Sequence, residues 1–193
     1  MVVKKIAVLF SGSGSNLEKI LENVHKKSFS TCKIEVVCLI CNKRDAYGIQ
    51  RAKRYGLETT IIEHANFENR ESFDKKMVEV IKQSGAELVV LAGFMRILTS
   101  EFTKNVNAIN LHPSLLPLFK GAHAIEDSYN SDMKVGGISV HYVNEELDAG
   151  KIIAQECFKK SENMSLEEFE EKIHSLEHKL LPKTIIDILN KKN

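Results

Sequence analysis

Apolar residues recur along this chain in two rhythms. Ile6-Ala-Val-Leu-Phe10 is a continuous apolar run, as expected of a strand buried on both faces. Leu17, Ile20, Leu21 and Val24 then share one helical face between Ser15 and about His25. Ile34 to Ile40 is a second strand run, residues 46–55 read as a helix ending near Gly56, and Thr59 to Ile62 as a short strand. Over 70–84, Phe73, Met77, Val80 and Ile81 fall on one face, and Gly85 suits a helix stop. Leu88 to Ala92 is a strong strand and Val106 to Leu111 a weaker one. Ile138 to Val143 and Lys151 to Phe158 read as strands separated by a polar turn. Ser165 opens a last helix, with Glu168 completing a capping box and Leu166, Phe169, Ile173, Leu176 and Leu180 as its apolar face. This alternation predicts an α/β fold: a doubly wound, mostly parallel sheet with a Rossmann-like N-terminal half. No repeat, low-complexity linker or composition break divides the chain, so residues 1–193 are expected to form a single domain.

Charge narrows the partners. Lys plus Arg number 27 against 26 Asp plus Glu, a net +1 with neutral histidines. Phosphate neutralisation usually leaves a basic excess, so nucleic acid is not expected as a partner, nor is an anionic membrane. No apolar run reaches the roughly 18 residues of a membrane helix, and the start lacks the pattern of a signal peptide. The expected compartment is cytoplasmic. Four cysteines are too few for a disulfide scaffold. Cys38-Leu-Ile-Cys41 lies in an apolar strand run that turns the two sulfurs to opposite faces, so it reads as core and not as metal or redox chemistry.

Four polar loops follow predicted strands: Ser11–Asn16, Gly93–Leu98, Asn110–Pro117 and Asn144–Gly150. Open α/β sheets bind ligands outside the carboxyl ends of their strands, so all four loops would face one crevice if those strands run parallel. In the first, Gly12 and Gly14 allow close backbone approach, and Ser15 with Glu18 suggests a capping box at a helix start. A helix N-terminus suits a phosphate. Leu17 occupies the third glycine position of a dinucleotide fingerprint, and no Gly-Lys-Ser/Thr of a P-loop occurs. A mononucleotide-like phosphate is therefore the physical reading, against a plain Gly/Ser turn.

Asn110 and His112 lie two apart on a strand end and point to the same side. An amide donor beside a proton carrier makes an oxyanion-stabilising pair, although a lone His is more often packed at a strand end. Asp148 precedes Ala149-Gly150, where backbone approaches closely, and a carboxylate near His112 would hold its orientation. Glu145 and Glu146 read from the residues alone as a solvated turn. His123 and His141 are further candidates for the crevice, His141 equally a structural strand residue. His25, His64, His174 and His178 read as surface or helix positions, and the charged last helix as a solvated outer face.

Ser11-Gly-Ser-Gly-Ser-Asn-Leu17, Ala92-Gly-Phe-Met-Arg-Ile-Leu98, Asn110-Leu-His-Pro-Ser-Leu-Leu-Pro117 and Glu146-Leu-Asp-Ala-Gly150 together resemble the folate-dependent phosphoribosylglycinamide formyltransferase family. The likeness is collinear from Ile6 to about Pro182. It implies transfer of a formyl group from 10-formyltetrahydrofolate, as cosubstrate and without a metal, to the amine of glycinamide ribonucleotide. It further implies Asn110, His112 and Asp148 as the catalytic set, and Gly14, Ser15, Asn16 and Glu177 as ribonucleotide contacts. Arg70, Met95, Arg96, Ile97 and Leu98 would border the folate, with Asn144, Glu145, Glu146 and Leu147 closing its pterin pocket. Phosphate binding would then fall to the N-terminal half, folate binding and catalysis to the C-terminal half, in a monomer or homodimer acting on small molecules. Residues 125–130 and Gly136-Gly137 are local variations on the family pattern.

Rival readings make different demands. A methionyl-tRNA formyltransferase needs a further tRNA-binding domain, and a formyltetrahydrofolate hydrolase is expected to carry an extra N-terminal domain. A nicotinamide dehydrogenase is disfavoured by Leu17 and by Cys41-Asn-Lys-Arg-Asp45, which lacks a well-placed ribose acid. A silent nucleotide-binding module would explain the first loop but not Asn110, His112 and Asp148 together.

Overall fold

The computed structural model describes residues 1–191. Among these residues, eight strands form one sheet. In chain order the elements are β1 (Val2–Phe10), α1 (Ser15–Asn23), β2 (Lys27–Ser28), β3 (Cys32–Cys41), α2 (Tyr47–Arg54), β4 (Thr60–Ile61), α3 (Arg70–Ser84), β5 (Leu88–Leu91), α4 (Ser100–Thr103), β6 (Ala108–His112), α5 (Ala124–Asn130), β7 (Val135–Tyr142), β8 (Ile152–Lys159) and α6 (Leu166–Leu189). The strand order is β2-β3-β1-β5-β6-β7-β8, with β4 beside the end of β3.

The continuous apolar run of β1 is buried on both faces. Ile6, Val8 and Phe10 join one core with Leu17 and Ile20 of α1 and Phe169 and Ile173 of α6. Ala7 and Leu9 join the other with Phe73, Met77 and Ile81 of α3. Cys41 lies in the first core and Cys38 in the second, so the two sulfurs do face opposite ways. Burial pushes both thiols up, which keeps them unreactive. The Gly85 stop of α3 is left-handed (φ 71°), and the Ser165/Glu168 capping box of α6 forms.

β1, β3, β4, β5 and β6 run parallel. The chain leaves β1 for β3 on one side and returns to β5 on the other, so the sheet's switch point lies between the ends of β1 and β5. The two loops there are laced together: Ser11 N–H donates to Gly93 C=O at 3.1 Å, and Met95 N–H to Ser11 Oγ at 2.8 Å.

β7 departs from the parallel expectation. It pairs antiparallel with β6, setting Asn110 opposite His141 and His112 opposite Ser139, and β8 pairs antiparallel with β7. A parallel partner needs a crossover long enough to carry the chain back along the sheet. The helix in this connection, α5, has only 7 residues, about 10 Å at the α-helical rise. The chain therefore stays at one end of the sheet and enters β7 in reverse. The paired glycines of β7 have a packing reason: a Cβ on Gly136 would stand 2.4 Å from the Phe169 ring, where α6 crosses the strand.

Candidate active site

The first loop leaves β1 at Phe10 and turns through Gly14 in the left-handed region (φ 72°). The structure corrects the cap expected here. Gly14 is the N-cap, no side chain caps the helix, and Ser15 is already its first residue. Glu18 pairs with the Arg51 guanidinium instead. Among the described residues, the N–H groups of residues 12 to 16 meet no protein acceptor. They line a cavity of about 290 Å³ bounded also by Lys43, Gly93, Leu111, His174 and Glu177. Free amides at a helix start are an anion site.

Glu177 comes to this cavity from the far end of the sequence. It is buried to 6% exposure, not solvated as its charged helix suggested. Its Oε2 accepts from Asn16 Nδ2 at 3.0 Å and from His174 Nδ1 at 2.9 Å. That hydrogen bond holds the His174 imidazole above the usual histidine range, against the opposing pull of burial. Asn16 and Glu177 thus form one polar wall joining α1 to α6.

Asp148 is the centre of a second group, reached by an unexpected route. Because β7 runs in reverse, the 143–151 loop starts beside Ala108, where Val143 N–H donates to the Ala108 carbonyl, and must double back. Gly150 makes that possible: a Cβ there would lie 1.6 Å from the Tyr142 carbonyl oxygen. Asp148 itself is left-handed (φ 50°), a strained conformation of the kind found at functional sites. Its Oδ2 lies 3.4 Å from His112 Nδ1 and accepts from Gly121 N–H at 2.9 Å. Its Oδ1 lies 3.5 Å from Asn110 Nδ2 and 3.7 Å from His141 Nε2. Asn110, His112 and Asp148 are therefore neighbours, as their motifs suggested.

His112 is 4% exposed and faces an acceptor on both nitrogens, since Nε2 donates to the Phe119 carbonyl at 2.8 Å. His141 Nδ1 donates to the Tyr142 carbonyl at 2.9 Å, leaving Nε2 to accept from Asn110 Nδ2 at 3.2 Å. Burial pushes His141 below the usual histidine range, although the Tyr142 carbonyl and Asp148 oppose it. A neutral His141 thus fixes which way the Asn110 amide faces. Ser139 Oγ donates to Ser114 C=O, and Ser114 Oγ to Leu118 C=O, so both hydroxyls hold the segment over His112 and neither is poised as a nucleophile.

The remaining expected positions lie around these groups. Met95 and Ile97 are exposed at 72% and 55%, while Leu98 is buried. Arg96 Nε is buried without a partner. Thr99 donates twice to the buried Asp74, which ties the 94–99 segment to α3, whose first residue is Arg70. Among the described residues no hydrogen bond or ion pair joins Arg70 to the Asp148 group. Asn144, Glu145, Glu146 and Leu147 are exposed, with Glu145 paired to Lys104 and Glu146 to Lys120, each at 3.1 Å. Among the described residues no three His, Cys, Asp or Glu side chains are arranged to hold a metal ion, and no helix is long and apolar enough to cross a membrane.

A family model described as "Formyl transferase" matches residues 4–185. The chain belongs to the formyl transferase family. It is 36% identical over 193 residues to a phosphoribosylglycinamide formyltransferase of Bacillus subtilis, covering 99% of this chain and 97% of the relative. A crystal structure of the phosphoribosylglycinamide formyltransferase from Campylobacter jejuni superposes with a TM-score of 0.95 at 64% identity, covering 97% of this chain and 98% of that one. A trifunctional purine biosynthetic protein of Bos taurus is 37% identical over 183 residues, 94% of this chain but 18% of that much longer protein.

In this formyl transferase two site neighbours escaped the motifs. Phe119 and Gly121 contribute only backbone, at φ 55° and φ 92°, so no side-chain type could have announced them. His141 was visible as a candidate, and its register opposite Asn110 gives it a partner. His25, expected at the surface, is 8% exposed, and its Nδ1 accepts from Val36 N–H at 3.0 Å.

Proposed function

We propose that this enzyme transfers the formyl group of 10-formyltetrahydrofolate to the amine of glycinamide ribonucleotide, giving formylglycinamide ribonucleotide in de novo purine biosynthesis. The observation that carries the reading is Asp148, which gathers Asn110, His112 and His141 within 3.7 Å beside the cavity of free loop amides. A nucleotide-binding module has no use for that second group.

The ribonucleotide phosphate is assigned to the amides around Gly14, Ser15 and Asn16. Glu177, held by Asn16 and His174, presents a carboxylate to the sugar side. Leu111 in the wall of the cavity belongs to the strand end that carries Asn110 and His112, so an acceptor seated there has its amine close to that end of β6. The folate is assigned to the exposed apolar side chains Met95, Ile97 and Leu147, with Leu98, Arg70, Asn144, Glu145 and Glu146 around them. The buried, unpartnered Arg96 Nε supports a polar ligand on that side. The folate supplies a formyl carbonyl to be attacked. His112 and the second N–H of Asn110, a long 3.5 Å from Asp148, are the donors for charge growing on the formyl oxygen. Asp148 holds the His112 ring and accepts the amine proton, directly or through water, for delivery to the departing nitrogen. Access to His112 Nε2 requires the Phe119 carbonyl to give up its hydrogen bond.

We assign the phosphate to the N-terminal half and folate binding and catalysis to the C-terminal half of a single domain. We place its work in the cytoplasm on small molecules, as a monomer or homodimer, without nucleic acid or membrane. One assay tests the reading: 10-formyltetrahydrofolate is mixed with purified enzyme, with and without glycinamide ribonucleotide, and deformylated folate is followed. Turnover that depends on the ribonucleotide is expected. Equal turnover without it would make the enzyme a hydrolase.

A further inference from the structure

Two carbonyls of the first loop point away from the cavity, and α2 is what turns them. Gly48 N–H donates to Gly12 C=O at 3.1 Å, and Arg51 Nε donates to Ser13 C=O at 3.0 Å. In a trans peptide the carbonyl and the next N–H point in opposite directions. Fixing these oxygens on the α2 side therefore turns the Ser13 and Gly14 N–H groups the other way, toward the cavity that both residues line and α2 does not. Reversal of either peptide would set a carbonyl oxygen against an anion.

The parts of this contact fit closely. A Cβ on Gly14 would stand 2.5 Å from Gly48 Cα, and one on Gly48 would stand 2.6 Å from the Phe10 ring, so the two backbones touch. The Arg51 guanidinium is paired with Glu18 and lies 5.1 Å from the centre of the Tyr47 ring. Arg54 Nη2 donates to Tyr47 Oη at 2.7 Å, and Arg54 Nη1 faces Glu18 Oε1 at 3.6 Å. With its charge balanced by Glu18 and its Nε spent on Ser13, Arg51 is committed to the loop.

We infer that Arg51, anchored by Glu18, is a positioning residue that holds the first loop with its amides facing the phosphate of the acceptor. This rests on the ribonucleotide reading given above. Arg51 acts through the backbone of Ser13, so its effect is confined to the phosphate end of the substrate.

The test compares glycinamide ribonucleotide with its dephosphorylated riboside, taking phosphate preference as the ratio of their kcat/KM values. In Arg51→Ala that ratio falls about tenfold or more, the scale of a lost hydrogen bond to a charged group. The Ki of inorganic phosphate against the ribonucleotide rises by a similar factor. Glu18→Ala keeps the Arg51 charge but frees it; its ratio falls too. A rise in Glu18→Ala would make Arg51 a direct phosphate cation and overturn the clamp. An unchanged ratio in folded Arg51→Ala, or an equal loss on both acceptors, overturns it as well. If Arg51→Ala does not fold, Arg51→Lys keeps the charge without the fork, and the same fall or its absence decides. Were the unaltered enzyme to show no preference for the phosphorylated acceptor, the ribonucleotide reading itself would fail, separately from the role of Arg51.

Discussion

Asp148 Oδ2 lies 3.4 Å from His112 Nδ1, although the strand leading to Asp148 runs opposite to the strand carrying His112. Two devices reconcile these facts. Gly150 admits the Tyr142 carbonyl into the space of a side chain, and Asp148 accepts a left-handed backbone. The 143–151 loop thereby returns its carboxylate over the face of β6. The cost of that conformation is met by hydrogen bonding, because Gly121 N–H donates to the same oxygen that faces His112.

Removing either partner of this pair should damage the chemical step. His112→Ala is expected to lower single-turnover rates by two to three orders of magnitude, roughly the effect of losing one oxyanion donor. Asp148→Asn keeps the shape but replaces one acceptor oxygen with a donor, and should act on rate more than on ribonucleotide affinity. Calorimetry and rapid-quench kinetics separate the two; weakened binding at an unchanged rate would remove Asp148 from the mechanism.

Gly150→Ala asks whether the loop's return matters. The added methyl meets a backbone carbonyl at 1.6 Å, so the loop or the β7 end must shift. Overpacking of this kind costs about 1–3 kcal/mol. Activity should fall further than stability does, because Asp148 is two residues away. A variant with near-normal turnover would mean that the loop tolerates a different path.

The architecture was legible where periodicity has one meaning. The double-sided burial of β1, the face of α3 and the opposite placement of Cys38 and Cys41 all follow from side-chain direction. The direction of β7 was not legible, since alternation of strand and helix does not reveal whether a short helix crosses the sheet. Glu177 looked like one more charge on a solvated helix; its burial depends on Asn16 more than 160 positions earlier. The residues that close over His112 act through backbone groups, which carry no signature in side-chain type.

Two serines that look alike in sequence give a further test. Ser165 is a true N-cap whose side chain accepts from Glu168 N–H, and Glu168 returns the contact. Ser165→Ala should cost about 1 kcal/mol. Ser15 precedes Glu18 at the same spacing, yet the cap position belongs to Gly14 and the Ser15 side chain caps nothing. Ser15→Ala should leave the melting temperature nearly unchanged in the absence of ligand. Equal losses in the two variants would contradict the assignment of the first helix start.

The histidines should divide by titration. Burial pushes His25, His141 and His178 below the ordinary value of 6.5, whereas the hydrogen bond to Glu177 raises His174 above it. For the three lowered rings the unfolded chain takes up protons first as pH falls. Their contribution is therefore intact above about 6.5 and lost as pH drops through the folded values. His174 behaves in the opposite sense: its contribution is present below 6.5 and lost as pH rises through its raised value. Proton NMR should give midpoints in that order, and Glu177→Gln should bring the His174 midpoint down. His25→Leu leaves the Val36 N–H unpaired and should melt lower at pH 7. It should also lose less on acidification from pH 7 to pH 5 than the unaltered protein, because one ring that resists protonation is gone. An identical acid loss in the two proteins would mean that His25 is not held neutral by its burial.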